Sequence, residues 1–162
     1  MEWTRAIGHG RCQMNFMNGE ESMSDTEAKD IVRQFLSAIA AGDGATMLGL
    51  MGDDAVMITP GSPKVPFNGR FEGKTSIAHA FMMFGEYLEI RDHTLKLLFG
   101  EGEHIAVMIN ETSRAKRTDR FIKQDTLWYF RVACGVIQHW QVFEDTEQVS
   151  WAWEDSATRR AE

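Results

Sequence analysis

Residues 92–147 read DHTLKLLFGEGEHIAVMINETSRAKRTDRFIKQDTLWYFRVACGVIQHWQVFEDTE, and this stretch decides the fold. It is rich in β-branched and aromatic residues, and Gly100-Glu101-Gly102 and Cys134-Gly135 break it as turns. Long strands are predicted near 92–99, 104–116, 120–133 and 136–147. The chain before it follows another period. Over 25–41, Ala28, Ile31, Val32, Phe35, Leu36, Ile39 and Ala40 recur every three or four residues, one apolar stripe of a helix. Ser24-Asp25-Thr26-Glu27 has the form of a capping box at its start, and Gly42 suits its end. Further helices are predicted near 45–51 and 75–89, with a short strand over 55–59 between them and a turn at Pro60-Gly61-Ser62-Pro63. Helices first and strands afterwards argue for an α+β domain, not an alternating α/β one.

A chain of 162 residues suits one domain with a substantial core. Residues 1–22 show no clear period and read as a flexible leader. Residues 23–153 form the expected domain, and 154–162 a polar tail. The net charge of −7 repels phosphate backbones, so no nucleic-acid partner is expected. The basic run Arg114, Lys116, Arg117, Arg120 and Lys123 reads as a solvated turn between two strands. No apolar run approaches the roughly 20 residues that span a bilayer, so no membrane partner is expected. Cys12 and Cys134 suggest neither a disulfide framework nor a zinc site, which points to a reducing cytoplasm. The histidines at 9, 79, 93, 104 and 139 lack the close spacing of metal-ligand pairs, and the glycine-rich stretches are turns. No metal and no cofactor is expected.

Four stretches resemble one superfamily. DIVRQFLSAIAAGD at 30–43 is similar to the first helix of SnoaL-like proteins. GDDAVMITPGSP at 52–63 is similar to their helix-to-strand passage, FNGRFEGKTSIAHAF at 67–81 to their glycine-rich lead into the third helix, and GVIQHWQVFEDTEQV at 135–149 to their last strand. The order and spacing resemble the SnoaL-like, or nuclear transport factor 2-like, superfamily. That resemblance implies a cone-shaped α+β fold with three N-terminal helices packed in a curved antiparallel sheet around a small-molecule cavity.

The superfamily includes polyketide cyclases, ketosteroid isomerases, epoxide hydrolases, dehydratases and non-catalytic modules, so function has to come from the site. Ketosteroid isomerases need an Asp base with a Tyr and a protonated Asp as donors. The resemblance puts Thr59, Phe35 and Thr126 at those positions, so chemistry of that type is not expected. Limonene epoxide hydrolases resemble the chain through Asn110-Glu111 and Trp140. Their Asp-Arg-Asp network falls on Thr112, Arg114 and Val142, without either acid.

Side chains of a strand alternate between its faces. With the register that the resemblance implies, the concave face receives Asn110, Thr112 and Arg114, then Gln124, Thr126 and Trp128, then Gln138, Trp140, Val142 and Glu144. A bulge would swap any of these sets. SnoaL-type cyclases use a single acid–base group beside an aromatic pocket. Glu144 beside Trp140 is the main candidate, since partial desolvation raises a carboxyl pKa toward a useful range. Arg114 is placed with it as a partner for a ligand carboxylate or enolate. His139 and His79 are further candidates, His139 with an outward-facing alternative beside Gln141 and Phe143. Asp145 is read as capping the C-terminal segment. The expected cavity residues are Phe35, Thr59, Asn110, Thr112, Gln124, Thr126, Trp128, Trp140 and Val142.

The reading is a small-molecule-binding SnoaL-like protein that acts as an isomerase, cyclase or dehydratase on an apolar cyclic or polyketide-like ligand by acid–base chemistry. The alternative is a non-catalytic ligand-binding or dimerisation module. A homodimer through the outer face of the sheet is expected.

Overall fold

The computed structural model describes residues 24–154. The capping box forms as the sequence requires. Ser24 Oγ accepts from the Glu27 N–H at 3.3 Å, and the Glu27 carboxylate accepts from the Ser24 N–H at 3.0 Å. They start α1 (Asp25–Ala41), which Gly42 ends at φ 67°, a left-handed conformation that costs glycine little. Asp43 caps α2 (Gly44–Gly49), which leads into β1 (Met51–Thr59). β2 (Gly69–Glu72) pairs with β1, and the chain then enters α3 (Gly73–Tyr87). The meander follows as β3 (Leu88–Glu101), β4 (His104–Ala115), β5 (Arg120–Ala133) and β6 (Val136–Phe143).

Asp145 accepts from the Glu147 and Gln148 N–H groups, both at 3.1 Å, and so caps α4 (Thr146–Trp153). The last strand therefore stops at Phe143, four residues before the predicted end. β2 and α4 were not anticipated: one is four residues long, and the other begins inside what reads as a strand. The leader expected over 1–22, and the tail apart from Glu154, lie outside the described residues. No described helix is long and apolar enough to cross a membrane.

The six strands are ordered β2-β1-β6-β5-β4-β3. The sheet is antiparallel at every neighbouring pair but one: β1 runs parallel to β6. The hairpin between β5 and β6 turns through Cys134 and Gly135, at φ 54° and 74°, two consecutive positive values that match the twist of the flanking strands. Cys134 is disulfide-bonded. This corrects the reading that the cysteines suggest no disulfide, and the expectation of a reducing cytoplasm loses that support.

α1 packs on the inner face of the sheet. Ala28, Val32 and Phe35 are fully buried against Val107, Phe130 and Trp140 in one continuous core. Phe35 meets Phe130 edge-on at 5.7 Å and Trp140 at 5.2 Å. Replacing so enclosed a ring by Ala costs about 3–5 kcal/mol.

Two local irregularities decide which residues face this core. The β5–β6 ladder pairs Arg131 with His139 and then Val132 with Ile137, skipping Gln138. The β1–β6 ladder shifts at the same place, from Met51–Ile137 to Val56–His139. Ile137 and Trp140 are consequently both buried although three residues apart, and the Gln138 amide lies over Gly52, where a Cβ would come within 2.7 Å of it. Gln138 is thus a bulge residue rather than one of a regular concave row.

Candidate functional site

The inner face of the sheet and residues of all four helices line a cavity of about 280 Å³. Its apolar walls are Trp128, Trp140, Phe81, Phe84, Ile122 and Val142, with Ile39 and Met47 contributed by α1 and α2. Trp128 and Trp140 meet at 5.1 Å, and Trp140 stacks flat on Phe130 at 6.0 Å, so both indoles are braced from behind. The polar lining consists of His93, Glu111, Ser113, Thr59 and Glu144, and no lysine or arginine is among the lining residues.

The polar groups form a row across the strands. His93 on β3 is the register partner of Glu111 on β4, and Glu111 is the partner of Gln124 on β5. Gln124 donates to Glu144, just past the end of β6, at 3.0 Å. At the other end, His93 Nε2 lies 4.0 Å from Glu111 Oε2, and Ser113 Oγ donates to Glu111 Oε1 at 2.5 Å.

Burial, reinforced by the negative charge of Glu111, pushes the Glu144 carboxyl up to about 7, while the Gln124 hydrogen bond pulls the other way. Burial holds the His93 imidazole below its ordinary value, against the upward pull of Glu111 and Asp92. Near neutral pH the cavity therefore contains a carboxyl that is partly protonated and an imidazole that is mostly neutral. One can give a proton and the other can take one.

Of the residues expected in the cavity, Thr59, Trp128, Trp140, Val142 and Glu144 line it together. Thr59 spends its hydroxyl on the Phe67 carbonyl at 2.6 Å. Phe35, Thr126 and Gln124 stand behind the lining: Phe35 and Thr126 are buried in the core, and Gln124 holds Glu144. Asn110, Thr112 and Arg114 are corrected to the outer face. Asn110 donates to Asp125 at 2.7 Å, on the exposed side. Arg114 is engaged by Glu89 at 2.6 Å and by Asp119, which satisfies its guanidinium away from the cavity. Thr112 lies between them in the same alternation, opposite the exposed Lys123. His139 packs beside Tyr129 at 5.7 Å, away from the lining, and His79 is exposed on α3.

The error on β4 is one residue. Ile105, Val107 and Ile109 are buried, so the same alternation carries Glu111 and Ser113 inward. That apolar run is legible in the sequence and would have found Glu111. His93 had no such signal, because β3 shifts register twice, between Ile90 and Asp92 and between Leu95 and Leu97.

A helix-filled, curved six-stranded sheet around an aromatic cavity defines the nuclear transport factor 2-like class of α+β proteins. The SnoaL-like domain family matches residues 32–140, most of the described chain, and the protein belongs to that family. A comparison with curated protein sequences found no match. Among solved structures, a nuclear transport factor 2-like protein from Burkholderia xenovorans LB400 is similar at 24% identity and a TM-score of 0.74, over 82% of this chain and 99% of that one. TerC, co-crystallised with polyporic acid, is similar at 14% identity and a TM-score of 0.72, over 80% and 99% of the two chains. A protein with a ketosteroid isomerase-like fold from Catenulispora acidiphila DSM 44928, in complex with trimethylamine, is similar at 13% identity and a TM-score of 0.64, over 76% and 91%. At these identities the likeness is one of fold.

Proposed function

We propose that this protein binds a flat, uncharged cyclic molecule in the cavity and moves a proton on it, in the manner of an isomerase, cyclase or dehydratase, with Glu144 as the proton-transfer group. One observation carries the reading: Glu144 lines an aromatic cavity, and burial lifts its carboxyl to about 7. A carboxyl poised there donates and accepts with comparable ease at neutral pH. The two adjoining indoles offer an aromatic wall that suits a planar ring system. A cavity with two glutamates and no basic lining side chain disfavours an anionic ligand.

A planar ketone serves as the probe. 2-Tetralone should bind with quenching of tryptophan fluorescence, and the protein should accelerate exchange of its α-hydrogens for deuterium in D2O, read by proton NMR. Glu144→Gln should abolish the acceleration and leave binding nearly unchanged. Binding without exchange in the wild-type protein would instead establish a non-catalytic ligand-binding module.

The outer face of the sheet carries Leu97, Phe99, Phe121 and Phe143, each about half exposed. These side chains support the pairing of two copies across that face.

A further inference from the structure

We propose that His93, with the Glu111 carboxylate beside it, is a second proton-transfer group of this cavity and works on the substrate together with Glu144. The proposal rests on the acid–base reading of the site. Its basis is geometric. His93 turns inward from a strand whose neighbouring residues Asp92 and Thr94 are exposed, and its side chain is only 11% accessible. Its ring packs 5.1 Å from Trp128, the wall on which a planar ligand would lie. Glu111, fixed by Ser113, stands 4.0 Å from Nε2, too far for a hydrogen bond but close enough to favour the imidazolium when it forms. An imidazole serving only as packing needs neither access to a cavity nor a braced carboxylate beside it.

Glu111 from β4 and the Trp128 ring from β5 face His93, and Asp92, its exposed neighbour on the same strand, acts on it through charge alone. Burial favours the neutral imidazole, and the two acids oppose it. His93 is therefore the acceptor and protonated Glu144 the donor. On a neutral cyclic ketone the step is an enolisation. The C–H bond next to the carbonyl breaks, and its proton goes to an imidazole nitrogen. The electron pair forms the C=C bond, and the carbonyl oxygen takes the proton of Glu144. An imidazolium, a carboxylate and a neutral enol result. Charge and protons balance without any further reactant, and reversal with solvent deuterium on His93 exchanges the α-hydrogen.

The substrate class is thus a neutral planar ketone with an acidic neighbouring C–H. The test is the pH profile of deuterium exchange into 2-tetralone by the full chain, alongside its binding by tryptophan quenching. His93→Gln should lower the saturated exchange rate at least about 100-fold, with binding within about threefold. It should also remove the acidic limb of the profile. Glu111→Gln should keep most of the rate and move that limb to lower pH, because the carboxylate that favours the imidazolium is gone. Should His93→Gln fail to fold, NMR titration of the His93 ring in the wild-type chain and in Glu111→Gln must show its pKa falling on loss of the carboxylate.

Wild-type exchange in His93→Gln, with exchange lost in Glu144→Gln, would make His93 a wall and overturn this inference while the function stands. A His93 pKa indifferent to Glu111→Gln would overturn it too. Absence of exchange in the wild-type protein would overturn both.

Discussion

Gln124 ties Glu144 to the start of the last helix. Its side-chain amide donates to Glu144 Oε2 at 3.0 Å, while its own oxygen accepts from the Asp145 N–H at 3.1 Å. The second bond fixes which end of the amide faces the carboxyl. Gln124 therefore presents a donor to Glu144, which favours the ionised form and offsets part of the effect of burial.

Gln124→Leu should accordingly raise the Glu144 pKa further, since the donor that lowers it is lost. Carboxyl carbon NMR titration of Glu144 checks this. A downward shift would show that the loss of packing had let water in.

Glu144 should also weaken the fold as pH rises. Its folded-state value of about 7 lies above the ordinary 4.5. The folded chain holds the proton longer than the unfolded chain does. Stability is full below pH 4.5, falls between 4.5 and 7, and levels off above. At ~1.4 kcal/mol per unit this amounts to on the order of 3 kcal/mol. Glu144→Gln should match the wild type at pH 4 and exceed its melting temperature at pH 8. Parallel melting curves across that range would refute the burial of the charge.

Trp140→Ala should weaken 2-tetralone binding by about 1 kcal/mol or more, the order of one lost aromatic contact. It should also destabilise the fold by about 3–5 kcal/mol, because Phe35 and Phe130 lose the ring they pack against. Fluorescence titration and urea denaturation separate the two effects.

If two copies pair through the outer sheet face, Leu97→Lys with Phe99→Glu should yield a monomer that still binds 2-tetralone. Both side chains lie on the edge strand β3, away from the cavity lining. Light scattering after size exclusion reads the mass directly. A wild-type monomer, or a dimer that survives both substitutions, would place the contact elsewhere or remove it.

Much of the fold was legible from local rules. The capping box at Ser24, the stripe through Val32 and Phe35, and the turn at Cys134-Gly135 each act within a few residues, and each formed as the sequence implied. Trp140, Val142 and Glu144 were placed on the correct face because no bulge lies between them. The parallel pairing of β1 with β6 had no local signal, since those strands meet only after the whole meander has closed.

The site divides along the same line. The sequence by itself determined that an acidic α+β chain would hold Trp128 and Trp140 on strands facing a helix, with Glu144 on the same side at the end of the last strand. The alternation through Ile105, Val107 and Ile109 already carries Glu111 inward and Arg114 outward, whereas only the tertiary structure decided that Gln138 is a bulge and that His93 reaches the cavity. The reason is that facing in a strand has a period of two, so a single inserted residue reverses every side chain beyond it. Where those insertions fall is set by pairing with strands distant in the chain.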